Sequence, residues 1–136
     1  MATQNILQDY IGPSFSSSFK LAELVERGLP TDSLALLREK GLTFTEMSAI
    51  ISPRTLKHRK ARGENLSSEE TDRAIRVASI VALTEEVFGN PDKAMRWLRY
   101  PNTRLAERTP LSMLHTEAGG RLIQSMLHGI AEGIYS

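Results

Sequence analysis

The sequence contains no cysteine, which excludes disulfide staples and thiolate metal sites and removes any argument for export. It has no run approaching the roughly 18 apolar residues that a membrane span needs. Its first residues, MATQNILQDYIG, lack the cationic start and continuous apolar stretch of a secretion signal. Strand signals are nearly absent. Excess charge of either sign is missing too, since the formal net charge is +1. Histidine is scarce, and His58, His115 and His128 include no pair set with a carboxylate at a metal-ligand spacing such as HExxH. The serines of SFSSSF have no neighbouring base, and GGRL at Gly119–Gly120 has neither the lysine nor the preceding strand of a phosphate loop. Glu69–Glu70 and Glu85–Glu86 read as solvated helix faces rather than acid–base pairs. No catalytic residue, metal ion or cofactor is expected, and the chain reads as a soluble cytoplasmic protein that is not an enzyme.

What is present is an ordinary composition, 40% hydrophobic and 24% charged over 136 residues. That length suits one compact domain or two very small ones, and it buries roughly two-thirds of the unfolded surface. The punctuation is that of an all-α protein with about eight helices. Residues 1–14 form a loose arm broken at Gly12-Pro13. Ser16 to Ser18 cap a helix carrying Phe19, Leu21, Leu24 and Val25 inward and stopping at Gly28. Thr31 or Asp32 opens the next, with Leu34, Leu37 and Leu36 inward and Gly41 at its end. Thr43 and Glu46 have capping-box spacing ahead of Met47, Ile50 and Ile51, and Ser67 and Glu70 repeat it ahead of a long helix from about Ser68 to Phe88. Ile75, Val77, Ala78, Val81, Ala82 and Leu83 cover more than one stripe of that helix, so it packs on several sides. Asn90-Pro91 opens a short helix that Pro101 ends, Thr109-Pro110 starts LSMLH, and Thr116 caps a last helix with Leu122, Ile123, Met126, Leu127 and Ile130 inward. The chain is basic before Gly63 and acidic from Glu64 to Asp92. That shift sets a boundary near residues 63–67 and gives domains of 1–66 and 67–136.

Against this even background one stretch stands apart. Residues 52–62, SPRTLKHRKAR, gather Arg54, Lys57, Arg59, Lys60, Arg62 and His58 with no acid. Ser52 is a good N-cap and Pro53 suits the first helical position. Two short helices joined by a tight turn, the second cationic, are the local pattern of a helix-turn-helix. With Leu56 as the buried point, Arg54, His58 and Arg62 lie at about 160°, 200° and 240° around the helix, flanked by Thr55 and Lys57. Arg59 and Lys60 fall near the Leu56 side, where their heads must snorkel outward or meet phosphates at the edges. Charge alone is equally consistent with a solvated basic face; the preceding turn and the one-sided charge point to DNA. Aromatic stacking residues are missing nearby, which disfavours a single-strand binder. Ile50 or Ile51 stands where many such turns place a left-handed glycine, so this turn takes another geometry.

The C-terminal half is organised differently. Trp97, the only tryptophan, sits beside Leu98 just before Tyr100-Pro101-Asn102 and reads as core. The final GIAEGIYS keeps Ile134 and Tyr135 at the terminus behind Gly129 and Gly133, the composition of a tail that docks on its own domain or in a partner's pocket.

The segments RTLKHRK, LSSEETDRAIRV, EEVFGNPDKAMRWL, PNTRL, TPLSML and TEAGGRLIQSML, in that order, resemble antitoxins of the Xre/MbcA/ParS family, the partners of RES-domain toxins. The resemblance runs from about Gly41 to Tyr135 and leaves residues 1–30 outside. Two sites depart from the family's pattern: the pair Ala106-Glu107 replaces glycines, and Ile50 replaces the glycine of the turn. The resemblance implies an N-terminal Xre-like helix-turn-helix bundle that binds the operator of its own operon, followed by a small helical toxin-binding domain. RES toxins are similar to ADP-ribosyltransferases and deplete NAD, so such a protein neutralises an NAD-consuming enzyme without being one, its C-terminal region blocking the active-site entrance. Carried over by position, the DNA-binding set is Arg54, Thr55, Lys57, His58 and Arg62, and the toxin-binding set is Glu132, Ile134, Tyr135 and Ser136. Operator reading by a helix-turn-helix takes two copies, which implies a homodimer or a toxin-bridged hetero-oligomer. The alternative is a stand-alone helix-turn-helix transcriptional regulator whose C-terminal half dimerises or binds an effector.

Overall fold

The computed structural model describes residues 17–134. Among them are seven α-helices, two single 3-10 turns and no strand: α1 Ser18–Arg27, α2 Ser33–Glu39, α3 Phe44–Met47, α4 Pro53–Arg62, α5 Ser68–Phe88, α6 Pro91–Arg99 and α7 Glu117–Ala131. The 3-10 turns, Thr103–Leu105 and Leu111–Met113, lie between α6 and α7. None of these helices is long and apolar enough to cross a membrane. The proposed arm at residues 1–14 lies outside the described residues. The chain divides into two compact units at Ala78–Ser79, inside α5.

In the first unit, Ser17 caps α1, accepting from the Lys20 amide at 3.2 Å. Leu24 is buried with Leu21 and Val25 half-buried, whereas Phe19, expected inside, is 69% exposed. At 100° per residue Phe19 lies about 140° around the helix from Leu24, so it is on the wrong side to share that face. Beyond α1 the chain is stitched to the segment entering α5. The Leu66 amide donates to the Leu29 carbonyl at 2.8 Å, Asn65 Nδ2 to the Gly28 carbonyl at 3.2 Å, and the Leu29 amide to the buried Thr71 Oγ1 at 3.0 Å. Only glycine fits at 28: its φ is +86°, and a Cβ would stand 1.9 Å from the Leu66 carbonyl oxygen. Leu34 and Leu37 of α2 are buried and Leu36 half-buried. Thr43 and Glu46 close their box reciprocally, at 3.1 and 2.9 Å.

In the second unit, the end of α5 buries Ile80, Val81, Ala82 and Thr84, and Asn90 Oδ1 accepts from the Lys93 amide at 3.0 Å to start α6. Between α6 and α7 the chain folds on Asn102, whose carbonyl accepts from Leu105 and Glu107, both at 2.9 Å, while its amide donates to Arg108 at 3.0 Å. Closing that loop sets Ala106 and Glu107 at φ 54° and 69°. The departure from glycine therefore leaves the left-handed path intact at the cost of strain in two side-chain-bearing residues. The helix expected at LSMLH is one 3-10 turn, and α7 starts at once from Thr116, whose Oγ1 accepts from the Gly119 amide at 3.0 Å. Gly119 is there because a Cβ would lie 1.8 Å from the Met113 carbonyl oxygen. Ile123, Met126 and Leu127 are buried, but Leu122, expected with them, is 43% exposed; it lies about 100° from Ile123, off the packed stripe.

Ala106→Gly and Glu107→Gly are each expected to stabilise the protein by roughly 0.5–1 kcal/mol: the left-handed backbone costs a side-chain-bearing residue about 1–2 kcal/mol, of which the freer unfolded glycine returns about 0.4–1. Gly28→Ala is expected to lose about 2–4 kcal/mol through strain and overpacking together. Urea midpoints at constant slope would check both signs.

Candidate nucleic-acid interface

α4 is positioned at its ends. Ser52 Oγ accepts from the Thr55 amide at 3.2 Å, Pro53 occupies the first helical position, and Gly63, left-handed at φ 67°, turns the chain back. There the Gly63 amide donates to Lys60 at 3.2 Å and the Glu64 amide to Arg59 at 2.9 Å, the paired bonds of a Schellman closure. No residue of α4 is fully buried, and Leu56, expected as the buried point, is half-buried. The turn before it answers the question raised by Ile50. Ala106 and Glu107 are the only left-handed non-glycine residues among those described; Ile50 instead follows a tightened helical end, its amide and that of Ile51 both donating to Met47, at 2.9 and 3.2 Å. Ile50 is 1% exposed, so the side chain that no left-handed turn would tolerate plugs the core.

The five predicted DNA-binding residues come together on α4. Arg54, Lys57, His58 and Arg62 are exposed; Thr55 is half-buried, its Oγ1 accepting from Ser52 Oγ at 2.8 Å. Arg59 has a different partner from the one its position suggested. Its Nε and Nη2 fork onto Glu70 at 2.7 and 3.2 Å, and Nη1 reaches Glu64 at 3.5 Å. It is therefore a bracing residue and not a phosphate ligand. Glu70, read from the sequence as solvated, is 7% exposed. The same carboxylate accepts from the Ser67 amide at 2.7 Å, and the Glu70 amide donates to Ser67 Oγ at 3.1 Å, so one side chain both starts α5 and holds α4. Burial pushes the Glu70 carboxyl up, but the hydrogen bonds from Arg59 and Ser67 and the charge of Arg59 outweigh it, leaving the group below its ordinary value. The bond to Glu70 raises the Arg59 guanidinium further against a smaller opposing effect of burial. Arg73 adds a second brace, Nε donating to the Ile50 carbonyl at 2.9 Å.

Two of the lysines of α4 do something the sequence did not announce. Lys57 and Lys60 line an apolar concavity of about 440 Å³ with Leu34, Phe44, Met47 and Ile51. Phe44 is 67% exposed and carries the Arg38 guanidinium 3.7 Å above its ring. The outer row, Arg54, His58 and Arg62, projects into solvent with a helix N-terminus beside it, the arrangement that serves base-edge and phosphate contacts in a major groove.

The second predicted set lies at the end of α7. Glu132 is the exposed C-cap, and Gly133 at φ 77° closes the helix with Gly133 amide to Ile130 at 3.0 Å and Ile134 amide to Gly129 at 2.9 Å. That closure fixes the backbone of Ile134 and leaves its side chain 66% exposed. Tyr135 and Ser136 lie outside the described residues. Trp97, expected in the core, is half-buried, with its ring 5.9 Å from that of Phe88 and tilted 39°.

Residues 20–79 match the antitoxin Xre-like helix-turn-helix domain, and residues 83–133 match the antitoxin Xre/MbcA/ParS C-terminal toxin-binding domain. The first match extends the resemblance back from Gly41 to residue 20; the stitching of Gly28–Leu29 to Asn65–Leu66 and Thr71 is the physical reason that α1 belongs to the same unit. The chain is similar to antitoxin Xre of Pseudomonas putida, 41% identical over 122 residues that cover 89% of this chain and 77% of that relative. It is also similar to antitoxin Xre of Photorhabdus laumondii, 27% identical over 137 aligned positions covering 97% and 92%. Antitoxin Xre of Yersinia enterocolitica is 28% identical over 87 residues, covering 63% and 59%.

Because folding lowers the Glu70 carboxyl, its contribution is present above the unfolded value and is lost as pH falls through the folded one. Wild-type stability is expected to fall from about pH 5 downward, and Glu70→Gln to flatten that slope in denaturant titrations across pH. Arg59→Ala is expected to lower the melting temperature by roughly 4–8 °C, with Arg59→Lys restoring only part, since an ammonium cannot reproduce the fork.

Proposed function

This chain belongs to the Xre antitoxin family, and from that premise we propose that it neutralises a RES-domain, NAD-depleting toxin and binds operator DNA to repress its own operon. The observation that carries this reading is the pairing, in one chain, of a braced helix with an outward cationic row and a toxin-binding domain ending in an exposed apolar residue. In this division the part up to residue 66 supplies the DNA contacts, braced by the start of α5, and the C-terminal part of residues 67–136 holds the toxin. Arg54, Lys57, His58 and Arg62 supply base-edge and phosphate contacts, with Thr55 supporting the start of the helix. At the other end, Glu132, Ile134, Tyr135 and Ser136 lie across the toxin's active-site entrance and exclude substrate sterically, so the antitoxin itself needs no cofactor and turns over no NAD. Two copies are needed to span two half-sites one helical turn apart, which is met by a homodimer or by a toxin-bridged hetero-oligomer in the cytoplasm. The match of residues 83–133 to a toxin-binding domain supports this over a stand-alone regulator with an effector domain.

The triple substitution of Arg54, His58 and Arg62 by alanine is expected to abolish specific operator binding, and Arg54→Ala alone to weaken it by about 1–3 kcal/mol. The plot of log affinity against log salt should become shallower by roughly 0.9 for each phosphate contact removed. Fluorescence anisotropy on operator duplex at several salt concentrations measures both, while neutralisation of the toxin in co-expression stays at the wild-type level. Deleting Glu132 to Ser136 is expected to do the reverse, losing rescue of toxin-poisoned cells and keeping operator binding.

A further inference from the structure

In the second unit a concavity of about 250 Å³ opens between the end of α6, the 102–105 turn and the last turns of α7. Trp97, Met126 and Ile130 give it an apolar floor, and Asn102, Thr103 and Arg104 a polar rim. Three features separate it from an incidental dent. Trp97 is the only tryptophan, and it is half-buried where a core residue would be covered; tryptophan and arginine around a small pocket are the side chains that dominate protein–protein hot spots. The rim is fixed: Asn102 Oδ1 accepts from the Arg104 amide at 2.9 Å, and the loop that closes the turn holds Ala106 and Glu107 left-handed. Backbone strain of that kind persists where the surroundings over-determine it, as at ligand clamps. The local charge is lopsided as well. From Lys93 to Arg108 the chain carries Lys93, Arg96, Arg99, Arg104 and Arg108 against Glu107 alone, although the protein as a whole is nearly neutral.

We propose that this concavity is the anchoring site for the toxin and receives an apolar side chain presented from an acidic stretch of the toxin surface. The inference rests on the antitoxin reading, since all of the lining residues fall within the matched toxin-binding domain. The apolar floor desolvates the anchor; Arg104 and Asn102 offer donors to the carboxylates or backbone carbonyls that flank it. Engagement is then divided between two places. The Trp97 concavity supplies affinity, and the segment beyond Gly133, starting one helical turn after Ile130, supplies the block.

The test uses the full chain and the RES-domain toxin proposed above as its partner, silenced in its active site so that both can be purified. Arg104→Glu and Thr103→Trp alter exposed positions on the rim, the first reversing charge and the second filling the space. Each is expected to raise the toxin Kd at least 10-fold by calorimetry while operator affinity stays unchanged. Trp97→Ala is expected to do more, but because Trp97 also packs on Phe88 the weight falls on the two rim variants. Deleting Glu132 to Ser136 is expected to abolish inhibition of the active toxin while raising the Kd less than either rim variant does. Wild-type Kd in both rim variants overturns the anchoring site and leaves the antitoxin reading standing. Loss of operator affinity along with toxin affinity overturns it too, as would loss of binding on deleting the tail. Failure of the wild-type chain to bind the toxin at all overturns the antitoxin reading itself.

Discussion

The Glu70 carboxylate is the single group on which the first unit turns. A surface ion pair of arginine and glutamate contributes little in general, because water screens it and two long side chains lose freedom. This one differs in two respects: the carboxylate is largely shielded from water, and it is already immobilised as the capping partner of Ser67. Arg59 meets a preorganised acceptor, and the bidentate fork fixes orientation as well as distance. Since α4 has no fully buried residue and only Leu56 half-buried on its apolar side, a hydrophobic face of its own contributes little to its placement. It comes from the caps at Ser52 and Gly63, the Arg59 fork, and the plugged turn at Ile50.

Capping chemistry was legible because it acts over three or four residues. Thr43 with Glu46, Ser67 with Glu70, Ser52-Pro53, Asn90-Pro91 and Thr116 mark helix starts in the sequence and in the structure alike. The outer row of Arg54, His58 and Arg62 was legible for a similar reason, since a helical wheel needs only the helix. Periodicity was less informative about which of several apolar residues finds a partner, and Phe19 and Leu122 face water as a result. The Arg59–Glu70 fork was not legible. Its partners are 11 residues apart across a turn, and Glu70 already had a sufficient explanation as a cap. The Thr71 acceptor for Leu29 joins residues 42 apart, a relation that only the folded chain creates.

Glycine marks both candidate sites by the same device. Gly63 and Gly133 each take a left-handed conformation just past a helix and each send the following amide back to a carbonyl of the last turn. At Gly63 the returning residue is Glu64, which completes the acidic surroundings of Arg59. At Gly133 it is Ile134, whose exposed side chain is thereby given a defined starting point. In the loop at Ala106–Glu107 the same backbone region is occupied without glycine, and closure of the Asn102 turn carries the strain.

The exposure of the outer row of α4 has an evolutionary consequence. Residues that hold a domain together are poorly free to vary, because each change is felt by tightly packed neighbours. Arg54, His58 and Arg62 have no such neighbours to satisfy, and the fold is secured by residues that never need to touch a base. If these three side chains are the DNA contacts proposed above, sequence preference can drift by single substitutions without cost to the fold. On that reading, duplicated copies of such a protein diverge in DNA preference by changes confined to one exposed row while the scaffold stays unchanged.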